Sequence, residues 1–305
     1  MAFAAFGSAP ANANSGQNLR GGKIVLALLL PGLLYLALFF LTPLVSLVLT
    51  SLQAPDASNA IGKYHAAFQW QNYITVATKY ATQIGHSFTY ALIATVLALL
   101  ISYPLAYFIG VKMRGYPLLQ RLMVTLVIAP FFISFLLRTI AWKQILADRA
   151  PLMQFVHDMG WMSDSQFFIG TPAAVVFGLT YNFIPFMTLP LYTTLERFDV
   201  RLLEAGSDLY ASPSKVFRKI TLPISMPGVI SGTLLTFIPI AGDYVNASRD
   251  FLGSSKTSMI GNMVEADFLQ NWNYPSAAAL SVLLMAVILI LVSVYVKKSG
   301  TEDLL

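Results

Sequence analysis

The C-terminal third of the chain carries the side chains best suited to bind a positively charged solute. In the stretch FIPIAGDYVNASRD, Asp243 is followed directly by Tyr244. A carboxylate offers charge and hydrogen-bond acceptors to an ammonium group, and an aromatic face adds cation–π attraction of about 0.5–2 kcal/mol. A carboxylate at the end of an apolar helix is unfavourable unless it meets water, a cavity or a partner. The pair predicts a cation-binding gate at the mouth of a path, and an interfacial pair near lipid headgroups is the alternative.

Three further carboxylates lie between this pair and the last apolar segment: Asp250, Glu265 and Asp267. We expect them to line the same mouth or to contact a protein that delivers the solute. The alternative is that they are solvated loop charges without a binding role.

The sequence offers no catalytic constellation. It contains no cysteine, and its three histidines are scattered without ligand spacing, which argues against thiolate chemistry and a histidine metal site. The phosphate-binding pattern G-x-x-x-x-G-K-[ST] is missing, so we do not expect this chain to hydrolyse ATP. A membrane enzyme is therefore the weakest class of hypothesis.

Composition indicates an all-α integral membrane protein. Of the 305 residues, 56% are hydrophobic and only 11% are charged, whereas soluble domains carry about 25% charged residues. A membrane-spanning helix needs about 20 apolar residues. Six segments satisfy this: residues 24–49, 84–111, 118–142, 172–195, 223–245 and 276–296.

The distribution of Lys and Arg predicts the orientation of these spans, because cytoplasmic loops are enriched in both residues. The bias favours two cytoplasmic termini, with a disordered tail over residues 1–22 and a short tail over 299–305. The net charge of +5 is then explained by basic cytoplasmic loops, without nucleic acid as a partner. This orientation also puts the connection between the fourth and fifth spans in the cytoplasm.

That connection contains the segment EAGSDLYASPSKVFRKITLPISMPG, which begins at Glu204 and resembles part of a soluble protein. Ser212 is placed to cap a helix that begins at Pro213. We expect two short helices at an angle, the second ending near Ile220 and separated from the next span by a break at Pro223. The exposed apolar residues and charged rim favour a protein-docking surface, and a helix pair lying on lipid is the alternative.

The same segment resembles the EAA loop of ABC-importer permeases, whose pattern is E-A-A-x-x-x-G followed by I-x-L-P. The matching positions are Glu204, Ala205, Ile220, Leu222, Pro223, Pro227 and Gly228. Gly206 and Tyr210 depart from the pattern, standing where the family has alanine and glycine. Because tyrosine rarely adopts the positive φ that glycine permits, we expect the turn to fall near Ala211 and Ser212.

The resemblance implies a type I ABC-importer permease fold over residues 23–298, with a cytoplasmic coupling loop at about 196–222. The loop residues that it assigns to contact with an ATPase are Glu204, Ala205, Gly206, Asp208, Tyr210, Ser212, Phe217, Ile220, Leu222 and Pro223. The implied partners are two ATPase copies, a second permease chain, an external substrate-binding protein and membrane lipid. ATP and magnesium would bind to the ATPase, and this chain would carry no cofactor.

Within that family the sequence is most similar to the spermidine/putrescine branch, for instance in YPLAYF from Tyr103 and LPLYTTLERFD from Leu189. The resemblance thus implies polyamine import across the cell membrane. Two alternatives stay open: an ABC permease for another small solute, and an ion-driven secondary transporter. The latter class often shows internal repeats, and none is visible in this sequence.

Overall fold

A computed structural model describes residues 22–56, 61–161, 163 and 167–298 of the chain. The predicted tails lie outside these residues, except for Gly22, which begins the first helix. The chain divides into two units, Met1–Leu47 and Val48–Leu305, and each is described by itself.

The first unit contains most of one long apolar helix, whose last turn belongs to the second unit. Helix α1 (Gly22–Leu36) continues through a π-helical turn (Ala37–Leu41) into α2 (Thr42–Ser51). Leucine and aromatic side chains between Leu28 and Leu41 are exposed on all sides of the helix. A helix that is apolar all round needs lipid or another chain around it, so this segment suits a membrane span, as predicted.

The second unit is almost entirely helical and contains one two-stranded antiparallel hairpin, β1 (Ala54–Pro55) and β2 (Tyr64–His65). Its helices are α3 (Gln71–Lys79), α4 (Ala81–Gly110), α5 (Pro117–Ile128), α6 (Phe135–Ile145), α7 (Pro151–Asp158), α8 (Pro172–Glu196), α9 (Arg201–Asp208), α10 (Pro213–Val216), α11 (Leu222–Ala241), α12 (Ile260–Glu265) and α13 (Tyr274–Lys298).

Five of the predicted spans are helices long and apolar enough to cross a membrane. The third predicted span is instead a broken pair, Pro117–Phe132 and Phe135–Ile145, whose axes differ by 93°. Two residues of extended backbone, Ile133 and Ser134, interrupt the helix after a 3-10 turn that contains Pro130. Counting the pair as one span brings the total over the described residues to the predicted six.

Helices α4, α8 and α11 form the core of the second unit. On α11, Gly228 and Gly232 lie four residues apart on the side that faces α8. A Cβ added to Gly228 would lie 2.9 Å from the carbonyl oxygen of Pro190, and one added to Gly232 would lie 2.9 Å from the sulfur of Met187. Small residues at this spacing let membrane helices approach closely, and the two glycines fix how α11 lies against α8.

Candidate functional site

The coupling segment, residues 196–222, is anchored where α8 ends. The Arg114 side chain, which follows α4, donates hydrogen bonds to the carbonyls of Gly110 (2.9 Å) and Leu195 (2.8 Å), and to that of Glu196. Basic side chains stabilise helix C-termini by bonding the last free carbonyls. The start of the coupling segment is therefore tied to the end of α4.

Helix α9 packs against the helix that follows it through Gly206, the first departure from the family pattern. A Cβ at this position would lie 3.1 Å from Cδ1 of Ile220 and 3.2 Å from Cγ2 of Val216. Gly206 is the buried residue of α9. The glycine thus allows the two helices a closer approach than the family's alanine would.

The turn after α9 is made by Tyr210, whose φ is +55°. The N–H of Tyr210 donates to the carbonyl of Ser207 (2.9 Å), and that of Ala211 to the carbonyl of Gly206 (3.2 Å). These two bonds define a Schellman motif, which usually has glycine at the left-handed position. The expectation of a turn at Ala211 and Ser212 is therefore wrong. Tyr210 itself takes the left-handed conformation that glycine favours, which costs about 1–2 kcal/mol for a residue with a Cβ.

The predicted break at Pro223 is also wrong, because helix continues from Pro213 to Ala241. A π-helical turn (Phe217–Thr221) joins α10 to α11, and the N–H of Leu222 donates to the carbonyl of Phe217. Such a turn widens the helix just before Pro223, whose ring removes a backbone donor and crowds the preceding turn. The coupling segment is hence continuous with the fifth span.

Most of the remaining coupling residues are exposed, including Phe217. Glu204, Ala205, Asp208 and Ser212 are exposed. Ser212 occupies the N-cap position before Pro213, as predicted, although its side chain makes no capping bond. The Phe217 ring packs edge-on against Tyr103 of α4 at 5.6 Å between ring centroids. A displacement of the segment would consequently be felt by α4 as well as by α11.

The Asp243 carboxylate lies inside the protein, two residues beyond the end of α11, and is only 7% exposed. Asn246 donates to it from its backbone N–H (2.8 Å) and its side-chain amide (3.1 Å). Asn182 of α8 donates in turn to Asn246 (3.1 Å) and to Thr139 of α6 (3.2 Å). Burial raises the pKa of Asp243 to about 6, although the bonds from Asn246 oppose the shift. The Asp243 carboxylate thus belongs to a buried hydrogen-bond network and is not exposed at the mouth of a path.

Asp267 is likewise buried, with 1% exposure. Its carboxylate accepts hydrogen bonds from the Tyr80 hydroxyl (2.9 Å), the Ser276 hydroxyl (2.5 Å) and the Asn271 amide (2.9 Å). These donors join the start of α4 to the start of α13. The donors satisfy the buried carboxylate, which also borders a cavity of about 440 Å³ together with Lys63 and Lys79.

Tyr244 and Asp250 are exposed, and Glu265 is partly exposed. Tyr244 and Glu265 line a largely apolar cavity of about 850 Å³ between α11, α12 and α13. Asp250 and Glu265 line a second, more polar cavity of about 480 Å³. Glu265 borders both cavities.

The polar cavity is lined mainly by hydrogen-bonding side chains. Two carboxylates and one cation, Arg249, line it together with serine hydroxyls and the amides of Gln83, Asn262 and Gln270. The Oε1 atom of Gln83 is buried and has no hydrogen-bond partner within the described part of the chain. Carboxylate, amide and hydroxyl oxygens all accept hydrogen bonds from N–H donors.

Sequence reasoning missed how the connection over residues 242–259 folds inward onto α8. A Cβ at Gly178 would lie 2.4 Å from Cδ1 of Leu252 and 2.6 Å from Oδ1 of Asn246. Gly178 and Asn182 are four residues apart, so one face of α8 receives this connection. The spacing of Gly178 and Asn182 was the signal that the sequence offered for this contact. It did not indicate that the connection over residues 242–259 would pack there.

Comparison with known proteins places the chain among transport components. The family model described as "Binding-protein-dependent transport system inner membrane component" matches residues 102–298. The spermidine/putrescine transport system permease protein PotB of Haemophilus influenzae is 34% identical over 273 residues, covering 89% of this chain and 88% of that protein. PotB of Escherichia coli K12 is 33% identical over 266 residues, covering 87% and 94%.

Among solved structures, the fold is similar to a chain of a bacterial ABC transporter involved in import of the acidic polysaccharide alginate. The TM-score is 0.67 over 94% of this chain and 98% of that chain, at 16% sequence identity. At this identity the likeness concerns the fold alone. The fold is that of a type I ABC-importer permease.

Proposed function

The chain belongs to the family of binding-protein-dependent inner membrane transport components, and from that premise we propose that it is the permease subunit of an ATP-driven polyamine importer. The observation that carries the substrate class is 34% identity, across 89% of the chain, to a spermidine/putrescine permease. A second permease chain would complete the path, two ATPase copies would bind ATP and magnesium, and an external binding protein would deliver the solute.

The coupling segment would lie in the cytoplasm, with both termini on the same side, and would dock on the ATPase. Support comes from its rigidity: α9 is packed on the next helix through Gly206, and that helix runs without a break into the fifth span. Rigid-body movement of an ATPase would thereby be transmitted to α11 directly and to α4 through Phe217.

The substrate path would pass the two cavities that meet at Glu265. Its carboxylate and that of Asp250 would bind ammonium groups, and the Tyr244 ring would supply a cation–π surface. Asp243 and Asp267 would support this region from inside, since their oxygens are already occupied by protein donors.

The direct test is reconstitution of the chain with its ATPase, second permease and binding protein. We expect ATP hydrolysis to rise when spermidine-loaded binding protein is added. Stimulation by another ligand would retain the importer class and reject the polyamine. Uptake driven by an ion gradient, without any associated ATPase, would reject the importer.

Glu204→Arg is expected to abolish ATP-driven uptake while membrane insertion and thermal stability stay unchanged. Glu204 is exposed in the first turn of α9, and reversing a charge at a docking surface costs several kcal/mol when like charges meet. Uptake and ATPase copurification would be measured beside Asp158→Arg, a reversal at an exposed residue of α7. Normal uptake by Glu204→Arg would refute the coupling role.

Glu265→Gln is expected to raise the KM for spermidine uptake about tenfold, because a hydrogen bond to a charged group contributes about 1.5–3 kcal/mol. The substitution keeps the shape of the side chain and removes its charge. Asp158→Asn is the matched control, since its exposed carboxylate borders neither cavity. An unchanged KM would remove Glu265 from the path.

A further inference from the structure

Arg138 on α6 is a buried cation whose hydrogen-bonding capacity is only partly used. Its side chain is 8% exposed. Its Nε and Nη1 atoms are buried and have no hydrogen-bond partner among the residues that the structure describes. The guanidinium lies over the ring of Phe135, 5.7 Å from the ring centroid. Because a buried charge is unfavourable unless it is paired and hydrogen-bonded, this arrangement leaves Arg138 short of acceptors.

The facing helix carries a complementary atom. Oδ1 of Asn182, on α8, is also buried and has no partner within the described part of the chain. The Asn182 amide donates to Thr139, the residue next to Arg138, at 3.2 Å. On the same face of α6, Phe135 packs edge-on against Phe183 of α8. Unused donors and an unused acceptor therefore occur at neighbouring positions of two helices that are already in contact.

The orientation of the Asn182 side chain is fixed by its neighbours. The side-chain amide of Asn246 donates to the Asp243 carboxylate (3.1 Å), so Oδ1 of Asn246 is the atom that faces Asn182. An acceptor at that position requires an N–H from Asn182, which leaves Oδ1 of Asn182 for another donor. The free acceptor thus follows from the hydrogen-bond network that ends at Asp243.

Helix α6 is joined to the preceding part of its span by extended backbone. Ile133 and Ser134 have ψ values of 135° and 134°, and the axes on the two sides of them differ by 93°. A few residues at the end of an element are sufficient to act as a hinge, because they absorb the change in φ and ψ. Helix α6 is therefore able to change its angle without a break in α5.

We propose that α6 is a latch that closes on α8 during the transport cycle, when the Arg138 guanidinium donates to Oδ1 of Asn182. This inference rests on the proposed function, in which movement of an ATPase is transmitted to the membrane helices. Closure adds a hydrogen bond from a charged donor, which is stronger than a neutral one. It also brings a positive charge to the network that holds the Asp243 carboxylate.

The latch reaches the polar cavity through the same network. Asn246 belongs to the connection over residues 242–259, which also supplies Asp250 to the wall of that cavity. A shift of Asn182 is passed to this connection by the hydrogen bond to Asn246. Arg138 itself borders neither of the two cavities that meet at Glu265, so it acts as a positioning residue.

Asp148 provides a control, because its Oδ1 atom is also buried and without a hydrogen-bond partner in the described residues. The seven residues from Arg138 to the end of α6 at Ile145 span about 10 Å. Asp148 therefore lies beyond the opposite end of α6 from the hinge. A movement of α6 as one body carries Arg138 and Asp148 together and does not pair them.

The test compares spermidine uptake by the reconstituted importer with thermal melts of the chain. For Arg138→Gln we expect kcat to fall about tenfold at unchanged KM, the effect of losing one hydrogen bond from a charged group. Its thermal midpoint should stay the same or rise, because a buried charge without its full set of partners is removed. Arg138→Lys, which keeps the charge, should recover part of the rate, and Asp148→Asn should leave kcat unchanged.

Closure is measured by the distance between two spin labels. Because the chain contains no cysteine, labels attach only where cysteines are introduced, by Gln144→Cys on α6 and Ala173→Cys on α8, both at exposed positions. The chain is labelled before assembly with its partners. We expect the distance distribution to differ between the nucleotide-free and ATP-trapped importer, and to stay the same in both when Arg138→Gln is added.

The outcomes separate the latch from the function on which it rests. If the original chain takes up spermidine and Arg138→Gln does so at the same rate, the latch is rejected and the importer assignment stands. A large loss of thermal stability in Arg138→Gln, or equal label distances in both nucleotide states of the original chain, would also overturn the latch. If the original chain takes up no spermidine, the polyamine assignment fails and the label distances alone decide the latch.

Discussion

Gly253→Ala is expected to prevent the connection over residues 242–259 from folding onto α8. A Cβ at Gly253 would lie 2.0 Å from the carbonyl oxygen of Ala247 and 2.4 Å from its carbonyl carbon. These are backbone atoms, so no side-chain rotation relieves the contact. Neighbouring bonds hold the chain in place, including that from Gly253 N–H to the Ser248 carbonyl (3.0 Å) and that from Gly170 N–H to the Leu252 carbonyl (2.8 Å).

Overpacking typically destabilises by about 1–3 kcal/mol, and a backbone clash lies at or above the upper end of that range. We therefore expect a large fall in the yield and thermal midpoint of the purified chain. Gly242→Ala is the matched control in the same connection, because its Cβ would meet nothing closer than Cδ2 of Leu284 at 3.7 Å. Equal melting of both variants would show that the connection has room to adjust.

Asp267→Ala is expected to destabilise the protein by at least ~3 kcal/mol. It would leave three donors without their acceptor, on Tyr80, Asn271 and Ser276, two of which are buried. An unsatisfied buried donor costs about 1–3 kcal/mol, and hydrogen bonds to charged groups contribute more than neutral ones. The free energy is lost where the start of α4 meets the start of α13, so we expect cooperative unfolding at lower temperature.

Glu265→Ala is the matched control for this experiment. It removes a carboxylate two residues away that is partly exposed and borders the cavities. We expect Glu265→Ala to melt like the original chain and to transport poorly. Asp267→Ala should instead lose thermal stability as its main defect. If Asp267→Ala had normal stability and a raised KM, the structural role would be contradicted and Asp267 would be assigned to the substrate path.

The membrane spans were predictable because they depend on local composition. About 20 consecutive apolar residues satisfy the bilayer wherever they occur, and five such segments are unbroken helices. The 93° bend of the third span was not predictable in the same way. Pro130 marked the neighbourhood, but proline occurs in several of these helices, and only packing decides which of them is interrupted.

In the coupling segment, the sequence motif predicted the family but did not predict the local backbone structure. The pattern around Glu204 identified the family correctly, since the matched residues occur at fixed spacing along the chain. The pattern did not predict that Tyr210 takes the place of glycine in backbone conformation as well as in sequence. Nor did it show the continuous helix through Pro223, which depends on a π-helical turn five residues long.

The acidic residues near the C-terminus show what the sequence determines and what depends on the tertiary structure. By itself, the sequence determined that these carboxylates are present and that they follow an apolar span. Tertiary structure alone decided that Asp243 and Asp267 are buried among donors while Asp250 is exposed and Glu265 is partly exposed. The physical reason is that the role of a carboxylate depends on which donors surround it. Asp267 accepts from Tyr80, which is distant in sequence, and Asn246, the donor to Asp243, is itself held by Asn182 of α8, so these surroundings form only after folding.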